Sequence, residues 1–366
     1  MKKLLLVALI ATYLGAAHAD TPTVNPGLHS GGLAYNYNNV VFTPSKSVLP
    51  LPNKDLSRTD KNIVFKSEQL IDNNKTTALL LVEKGQVVFE KYKTPATQSS
   101  PLFSQSMSKS LTAIAFGSVV CSGKIRSIED RADSYAPELK GTIFGESSIK
   151  NLLRMSSGTT EPTLAGSHDP KEWFKLRDGH TTTVELLHGD VNVQDKPQGT
   201  YFRYSSTDTW SIAEVAAGVG MPIAETFDRD VWKKAGTESK GYWLQDKGGH
   251  LLAQSGFSAT ARDWARLAIY TVKSLKGENG KCIKNYMEES TSPQIKNESG
   301  RLGKAFKNYG YQTWIGSFGG RHSYWWVGYG GQRVGIDPES EKIMVLTSWR
   351  EDYMPDVYKL FRDWTQ

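Results

Sequence analysis

Ser106-Met107-Ser108-Lys109-Ser110-Leu111-Thr112-Ala113-Ile114-Ala115-Phe116-Gly117-Ser118-Val119-Val120 is a run of small and apolar residues without proline, and it predicts a buried helix over residues 106–120. At its head stands S-x-x-K. Residues three apart share a helix face, so the Lys109 amine can reach the Ser106 hydroxyl. Serine becomes a nucleophile only with a base beside it, and lysine serves as that base where burial or neighbouring cations lower its pKa toward neutrality. A lysine inside an apolar helix is costly unless it has a task. The same spacing recurs at Ser147-Ser148-Ile149-Lys150, ahead of a short amphipathic helix, where it reads as a capping serine with a solvated lysine.

Upstream, residues 77–83 form an apolar strand, Lys84-Gly85 a turn and residues 86–92 an alternating strand, so a hairpin opens the folded region. Downstream, helical stretches at 148–155, 207–218 and 260–274 are joined by Gly- and Ser-containing loops. Strands return at 309–316, 324–329, 332–337 and 342–349 before a closing helix over 355–364. Strands at both ends around a helical middle imply an α/β (α+β) protein whose one sheet is assembled from the two termini, with a helical domain inserted between them. The expected divisions are a signal peptide at 1–19, an extended lead-in at 20–76, a sheet domain from 77–105 and 304–366, and a mainly helical domain at 106–303.

Two further motifs bear on chemistry. Tyr204-Ser205-Ser206 lies just ahead of the 207–218 helix. A tyrosine beside a Ser/Lys pair can relay a proton to a leaving group, and the plain alternative is an aromatic residue packed at a helix start. Gly328-Tyr329-Gly330-Gly331-Gln332 heads a late strand. Glycines there let a substrate carbonyl approach the backbone, and an exposed N–H can complete an oxyanion hole with the N–H of Ser106. The alternative is a bulge or tight turn joining two strands.

The order of these three motifs, with Met155-Ser156-Ser157-Gly158 and the block from Gly256-Phe257-Ser258 to Arg262-Asp263, resembles the serine β-lactamase and penicillin-binding protein superfamily. Within it, the 6-aminohexanoate-dimer hydrolase-like branch is the most similar. The resemblance implies an antiparallel sheet flanked by helices, with the active site in the cleft between sheet and helical domain. It makes Ser106 the acylated nucleophile, Lys109 its proton acceptor and Tyr204 the general acid/base, with the backbone N–H groups of Ser106 and Tyr329 as the oxyanion hole. Gln254 matches a position that contacts substrate in nylon-oligomer hydrolases, where an Asn is found. Gly330, Gln332 and Arg333 are expected to line the substrate side of the late strand. The chain departs from the family twice. No lysine occurs in the late-strand block where many β-lactamases carry Lys-Thr-Gly, so Arg333 is the candidate to hold a β-lactam carboxylate. After Gly158 the chain reads Thr159-Thr160-Glu161-Pro162-Thr163-Leu164-Ala165, without the tyrosine that closes over the substrate amide in nylon-oligomer hydrolases.

Lys2 and Lys3 precede an apolar run from Leu4 to about Ala16, and Ala17-His18-Ala19 ends it with small residues at −3 and −1. This predicts a cleavable secretory signal and a periplasmic or secreted product, since the run falls short of the roughly 20 residues that span a bilayer. Cleavage after Ala19 leaves 347 residues and lowers the net charge from +6 to +4. In an oxidising compartment Cys121 and Cys282 read as one long-range disulfide, the alternative being two buried thiols. The remaining charge is dispersed, so nucleic acid is not an expected partner. No H-E-x-x-H or comparable spacing calls for a metal, and His168, His180 and His188 read as loop or surface residues. Tyr324-Trp325-Trp326 reads as partly cleft lining and partly sheet face by strand alternation. The expected protein is a serine hydrolase without cofactor or metal, acting on a small ester or amide. Its rivals are a β-lactamase or D-alanyl-D-alanine peptidase, and a non-catalytic ligand-binding relative.

Overall fold

The computed structural model describes residues 38–73, 75–94, 96–160, 176, 179–300 and 302–366. The expected signal at 1–19, the segment at 161–165 and His168 lie outside these residues. The strands are β1 (Asn38–Phe42), β2 (Thr76–Glu83), β3 (Gln86–Tyr92), β4 (Leu102–Phe103), β5 (Gly241–Gln245), β6 (Phe257–Ala259), β7 (Ile295–Lys296), β8 (Phe306–Tyr309), β9 (Trp314–Phe318), β10 (Arg321–Gly328), β11 (Gln332–Asp337) and β12 (Lys342–Ser348). The helices that cover the sheet or carry the site are α1 (Arg58–Asn73), α2 (Met107–Cys121), α3 (Ile149–Leu153), α4 (Thr207–Gly218), α5 (Ala261–Leu275), α6 (Lys281–Ser290) and α7 (Met354–Thr365).

The main sheet has the order β3-β2-β12-β11-β10-β9-β8-β7 and is antiparallel throughout. Its first hairpin turns at Lys84 (φ 49°) and Gly85 (φ 77°), the left-handed pair that matches strand twist in a two-residue loop. Side chains alternate across the sheet. Leu79, Leu81, Trp325, Met344 and Leu346 pack with Ile63 and Leu70 of α1 and Val357 and Phe361 of α7. Leu80, Val82, Tyr324, Trp326, Ile343 and Val345 pack into the larger core with α2 and α5. The Tyr324-Trp325-Trp326 run is therefore buried on both sheet faces and lines no cleft.

Two features depart from the expected organisation. The lead-in is not extended where α1 forms. Ser57 and Asp60 cap that helix reciprocally, Asp60 N donating to Ser57 Oγ at 3.1 Å and Ser57 N to Asp60 Oδ2 at 2.9 Å, a Ser-x-x-acid form of the capping box. The 241–259 region, read as helices and loops, instead holds β5 and β6 of a second sheet with order β1-β5-β6-β4. This small sheet positions the chemistry, because β4 runs directly into the residues before Ser106.

The expected strand at 309–316 is two strands. Tyr311 N donates to Ser290 O at 3.0 Å and Gln312 N to Leu153 O at 2.8 Å, so the turn between them bonds to the helical side instead of a neighbouring strand. Gln312, at φ 51°, also accepts from Ser110 Oγ of α2 (2.6 Å) and Thr209 Oγ1 of α4 (2.7 Å). One buried residue thereby ties the helices that carry the site to the sheet.

Cys121, the last residue of α2, is bonded to Cys282 of α6 with S–S 2.06 Å, across 161 residues of sequence. Closing so long a loop removes chain entropy worth at most roughly 5 kcal/mol. Replacing both cysteines by serine is expected to lower the unfolding free energy by about 2–4 kcal/mol, read as a drop in urea midpoint together with a raised m-value, because the unbridged unfolded chain exposes more surface. An unchanged midpoint would show that the bridge constrains nothing.

Candidate active site

The approach to Ser106 is held by backbone and hydroxyl bonds. Ser104 N donates to Phe257 O at 2.8 Å, and Phe257 N donates to Ser108 Oγ at 3.2 Å while Ser104 and Ser108 share a hydroxyl bond of 2.7 Å. Between them Gln105 stands at φ 48°, a left-handed conformation that a non-glycine residue adopts only where its surroundings enforce it. That kink delivers Ser106 to the start of α2. Lys109 follows one turn later, and its N–H donates to Ser106 O at 3.1 Å.

The Lys109 side chain is 1% exposed. Its amine donates to Ser206 Oγ at 3.3 Å and to the Gln254 carbonyl at 3.3 Å, and lies 5.1 Å from the centroid of the Tyr204 ring, within cation–π range. Lys109, Tyr204 and Gln254, more than a hundred residues apart at the extremes, are thus brought together, one helical turn from Ser106. Ser206 joins them, a residue the sequence places in the motif without a role.

Tyr204 is fixed by its packing and its backbone. The ring stacks on Trp314 at 5.2 Å and meets Tyr309 edge-on at 6.3 Å. Arg203 N donates to Met155 O at 2.9 Å, and Ser205 N contacts Met155 Sδ at 3.5 Å. Met155 itself is at φ 55°. Ser157 Oγ donates to the buried Asp208 carboxylate at 2.6 Å, so the Met155-Ser156-Ser157-Gly158 turn is the prop of the Tyr204 loop.

The late glycines also meet the turn that leads into Ser106. A Cβ on Gly328 would fall 2.3 Å from Ser104 O and 3.0 Å from Gln105 Cβ, so only glycine lets the end of β10 lie against the Ser106 turn. Tyr329, Gly330 and Gly331 make the hairpin to β11, with Gly330 at φ 76° and Gly331 at φ 95°. The Tyr329 side chain is exposed.

Two expected substrate contacts are corrected. Arg333 is 0% exposed. Its guanidinium donates to Gly328 O, Gln332 O and the Tyr358 hydroxyl, so it is committed within the fold and cannot hold a substrate carboxylate. Gln332 spends its amide on Tyr329 O (3.2 Å), Ser348 O (2.5 Å) and Ser348 N (3.2 Å), again within the fold. Gly330 serves as the left-handed turn residue. The second S-x-x-K behaves as expected, Ser148 Oγ accepting from Asn151 N and Lys150 pairing with Glu129. His180 and His188 are exposed, and no cluster of metal-ligating side chains occurs among the described residues.

Gln254 differs from Gln332. Its side chain is 1% exposed, and neither Nε2 nor Oε1 has a hydrogen-bond partner among the described residues. The turn that precedes it is tied to α4 by His250, whose Nδ1 lies 3.1 Å from Glu214 Oε1. That bond, against partial burial, raises the His250 pKa above 6.5, and Asp246 and Glu138 add in the same sense. Asp246 is itself buried and accepts from Thr183 N, Gly248 N and His250 N.

A family model described as Beta-lactamase matches residues 68–363. The chain is 25% identical over 301 residues to the 6-aminohexanoate-dimer hydrolase of Paenarthrobacter ureafaciens, covering 77% of this chain and 75% of that protein. Among solved structures, a Bacillus anthracis protein assigned provisionally as a 6-aminohexanoate-dimer hydrolase has a TM-score of 0.70 at 23% identity, over 90% of this chain and 89% of its own. An octameric penicillin-binding protein homologue from Pyrococcus abyssi has a TM-score of 0.63 at 20% identity, over 84% and 76%. The structural likenesses bear out the fold, with its antiparallel sheet flanked by helices.

The His250–Glu214 tether carries a pH signature. Because the folded pKa is raised, the tether's stabilisation is fully present below the ordinary histidine value of 6.5 and is lost as pH rises through the folded value. The excess urea midpoint of the wild type over Glu214→Gln is expected to shrink across that window. A difference that stays flat as pH rises would contradict the tether.

Proposed function

The chain belongs to the beta-lactamase family, a family of hydrolases, and from that premise we propose that it is a serine hydrolase forming an acyl-enzyme on Ser106 with a small ester or amide. The observation that carries the reading is the buried Lys109 amine, one helical turn from Ser106 and in contact with Tyr204, Ser206 and the Gln254 carbonyl.

In the proposed reaction, neutral Lys109 takes the Ser106 hydroxyl proton as Oγ attacks the substrate carbonyl carbon. The N–H groups of Ser106 and Tyr329 hold the developing oxyanion. Tyr204 gives its proton to the leaving alkoxide or amine nitrogen as the C–O or C–N bond breaks, and the ammonium of Lys109 returns a proton to the phenolate. Water then enters, loses a proton to the same pair and attacks the acyl carbon, and Ser106 Oγ leaves with that proton. Gln254, whose backbone carbonyl accepts from Lys109 and whose side-chain amide has no partner among the described residues, is the proposed hydrogen-bonding residue for the substrate's own amide or ester group.

The rival β-lactam reading has less support, because the late strand has no lysine and Arg333 is enclosed. An ester or uncharged amide needs no such cation. We propose further that the protein is exported. The 1–19 segment has signal-peptide character, and the Cys121–Cys282 bridge suits an oxidising compartment.

The test is turnover of a short-chain nitrophenyl ester by the purified mature protein and its variants, with a fluorescent penicillin alongside. Ser106→Ala is expected to abolish turnover. Lys109→Ala and Tyr204→Phe should each lower kcat by about 10²–10⁴-fold with folded circular dichroism spectra retained. Ester turnover by Lys109→Ala equal to wild type would remove the lysine from the mechanism, and efficient penicillin hydrolysis would promote the rival.

A further inference from the structure

The arginine expected to meet a substrate carboxylate lies on the opposite face of the sheet from α2. It pairs in register with Val327, whose side chain belongs to the core under α7. Its contacts converge on one place. Nη1 donates to Gly328 O at 2.7 Å and to Gln332 O at 2.9 Å, the two carbonyls that bracket the Tyr329-Gly330-Gly331 turn. Nε donates to the Tyr358 hydroxyl of α7 at 3.1 Å, and Nη2 lies 3.5 Å from Glu351 Oε1.

Taking Ser106 as the acylated residue, we propose that Arg333 is the positioning residue of the oxyanion hole, acting through the Gly328–Tyr329 peptide. A trans peptide is planar, with its C=O and N–H directed to opposite sides. The Gly328 oxygen and the Tyr329 N–H belong to the same plane, so a grip on the first from behind the sheet aims the second away from the arginine. A hydrogen bond at the carbonyl also polarises the amide and strengthens its N–H as a donor. That peptide lies against the nucleophile turn, because a Cβ on Gly328 would fall 2.3 Å from Ser104 O.

Enclosure of the guanidinium supports a directing role over a packing one. A fully buried charge is costly, and an apolar side chain of similar volume commonly fills such a place with equal or better stability. Arginine brings what an apolar residue cannot, a rigid planar fork fixed at one end by Tyr358 and Glu351 and at the other by the turn. The C-terminal helix is thereby linked to the reacting centre. Gln332 adds a second hold, from its Nε2 to Tyr329 O at 3.2 Å.

The test compares wild type, Arg333→Lys, Arg333→Gln and Tyr358→Phe for nitrophenyl ester kinetics, thermal midpoint and the amide resonance of Tyr329. Tyr358→Phe keeps the helix and removes only one anchor of the fork, so it reports even where an arginine variant fails to fold. Expected for Arg333→Gln is a kcat loss on the order of 10- to 100-fold with KM nearly unchanged, less than deletion of an oxyanion donor, and partial recovery in Arg333→Lys. Tyr358→Phe should show a smaller kcat loss, and in every variant the Tyr329 amide resonance should move. Folded variants with wild-type kcat would overturn the positioning role while leaving the serine-hydrolase reading intact. Should wild type itself turn over no ester, the hydrolase reading falls, and an unmoved Tyr329 resonance in the variants would overturn the positioning role independently.

Discussion

A primary amine cannot be enclosed in a protein without acceptors around it, and the enclosure of Lys109 constrains everything near it. The helix that carries it is otherwise small and apolar, so its acceptors must come from other elements. They do: Ser206 from the start of α4, the Gln254 carbonyl from the β5–β6 connection, and the Tyr204 ring from the loop before α4. Each of these is held in turn, Tyr204 by Trp314 and the Met155 turn, Gln254 by the small sheet and the His250–Glu214 tether. The two sheets and the helices between them meet around one nitrogen atom.

Irregular backbone does much of the positioning. Gln105, Met155 and Gln312 are left-handed non-glycine residues, each at a point where the chain changes direction near the Ser106–Lys109–Tyr204 set. Gln105 turns β4 into α2, Met155 props the Tyr204 loop, and Gln312 separates β8 from β9 and bonds the helical side. Such conformations cost free energy and persist only where surrounding contacts enforce them. Their grouping around the Ser106–Lys109–Tyr204 set fits a site whose geometry is held before any substrate arrives.

Much of this was legible in the sequence, and the limits have physical causes. The main strands and helices carry clear periodicity, and the buried lysine stands out because its helix is apolar. Helix α1 was hidden because its buried positions, Ile63, Leu70 and Ile71, are sparse among Lys, Asn and Asp, although Ser57 and Asp60 form a readable cap. The second sheet was hidden because β4 and β6 are only two and three residues long. The face on which Arg333 lies is hidden for a different reason. The residue's nearness to the glycine motif is plain, but in a strand the face to which a residue points depends on register, and register comes from tertiary pairing. The partners of Gln312 and Asp208 are likewise long-range, beyond any local pattern.

The account turns on whether Ser106, activated by Lys109, is the residue that reacts. Peptide mapping by mass spectrometry after treatment with a fluorophosphonate is the most direct measurement, made on wild type and on Lys109→Ala in parallel. The account predicts a single phosphonyl adduct on the peptide containing Ser106 in wild type, and its formation slowed by orders of magnitude in the variant. An adduct on another serine, or equal labelling of Ser106 in both proteins, would contradict it.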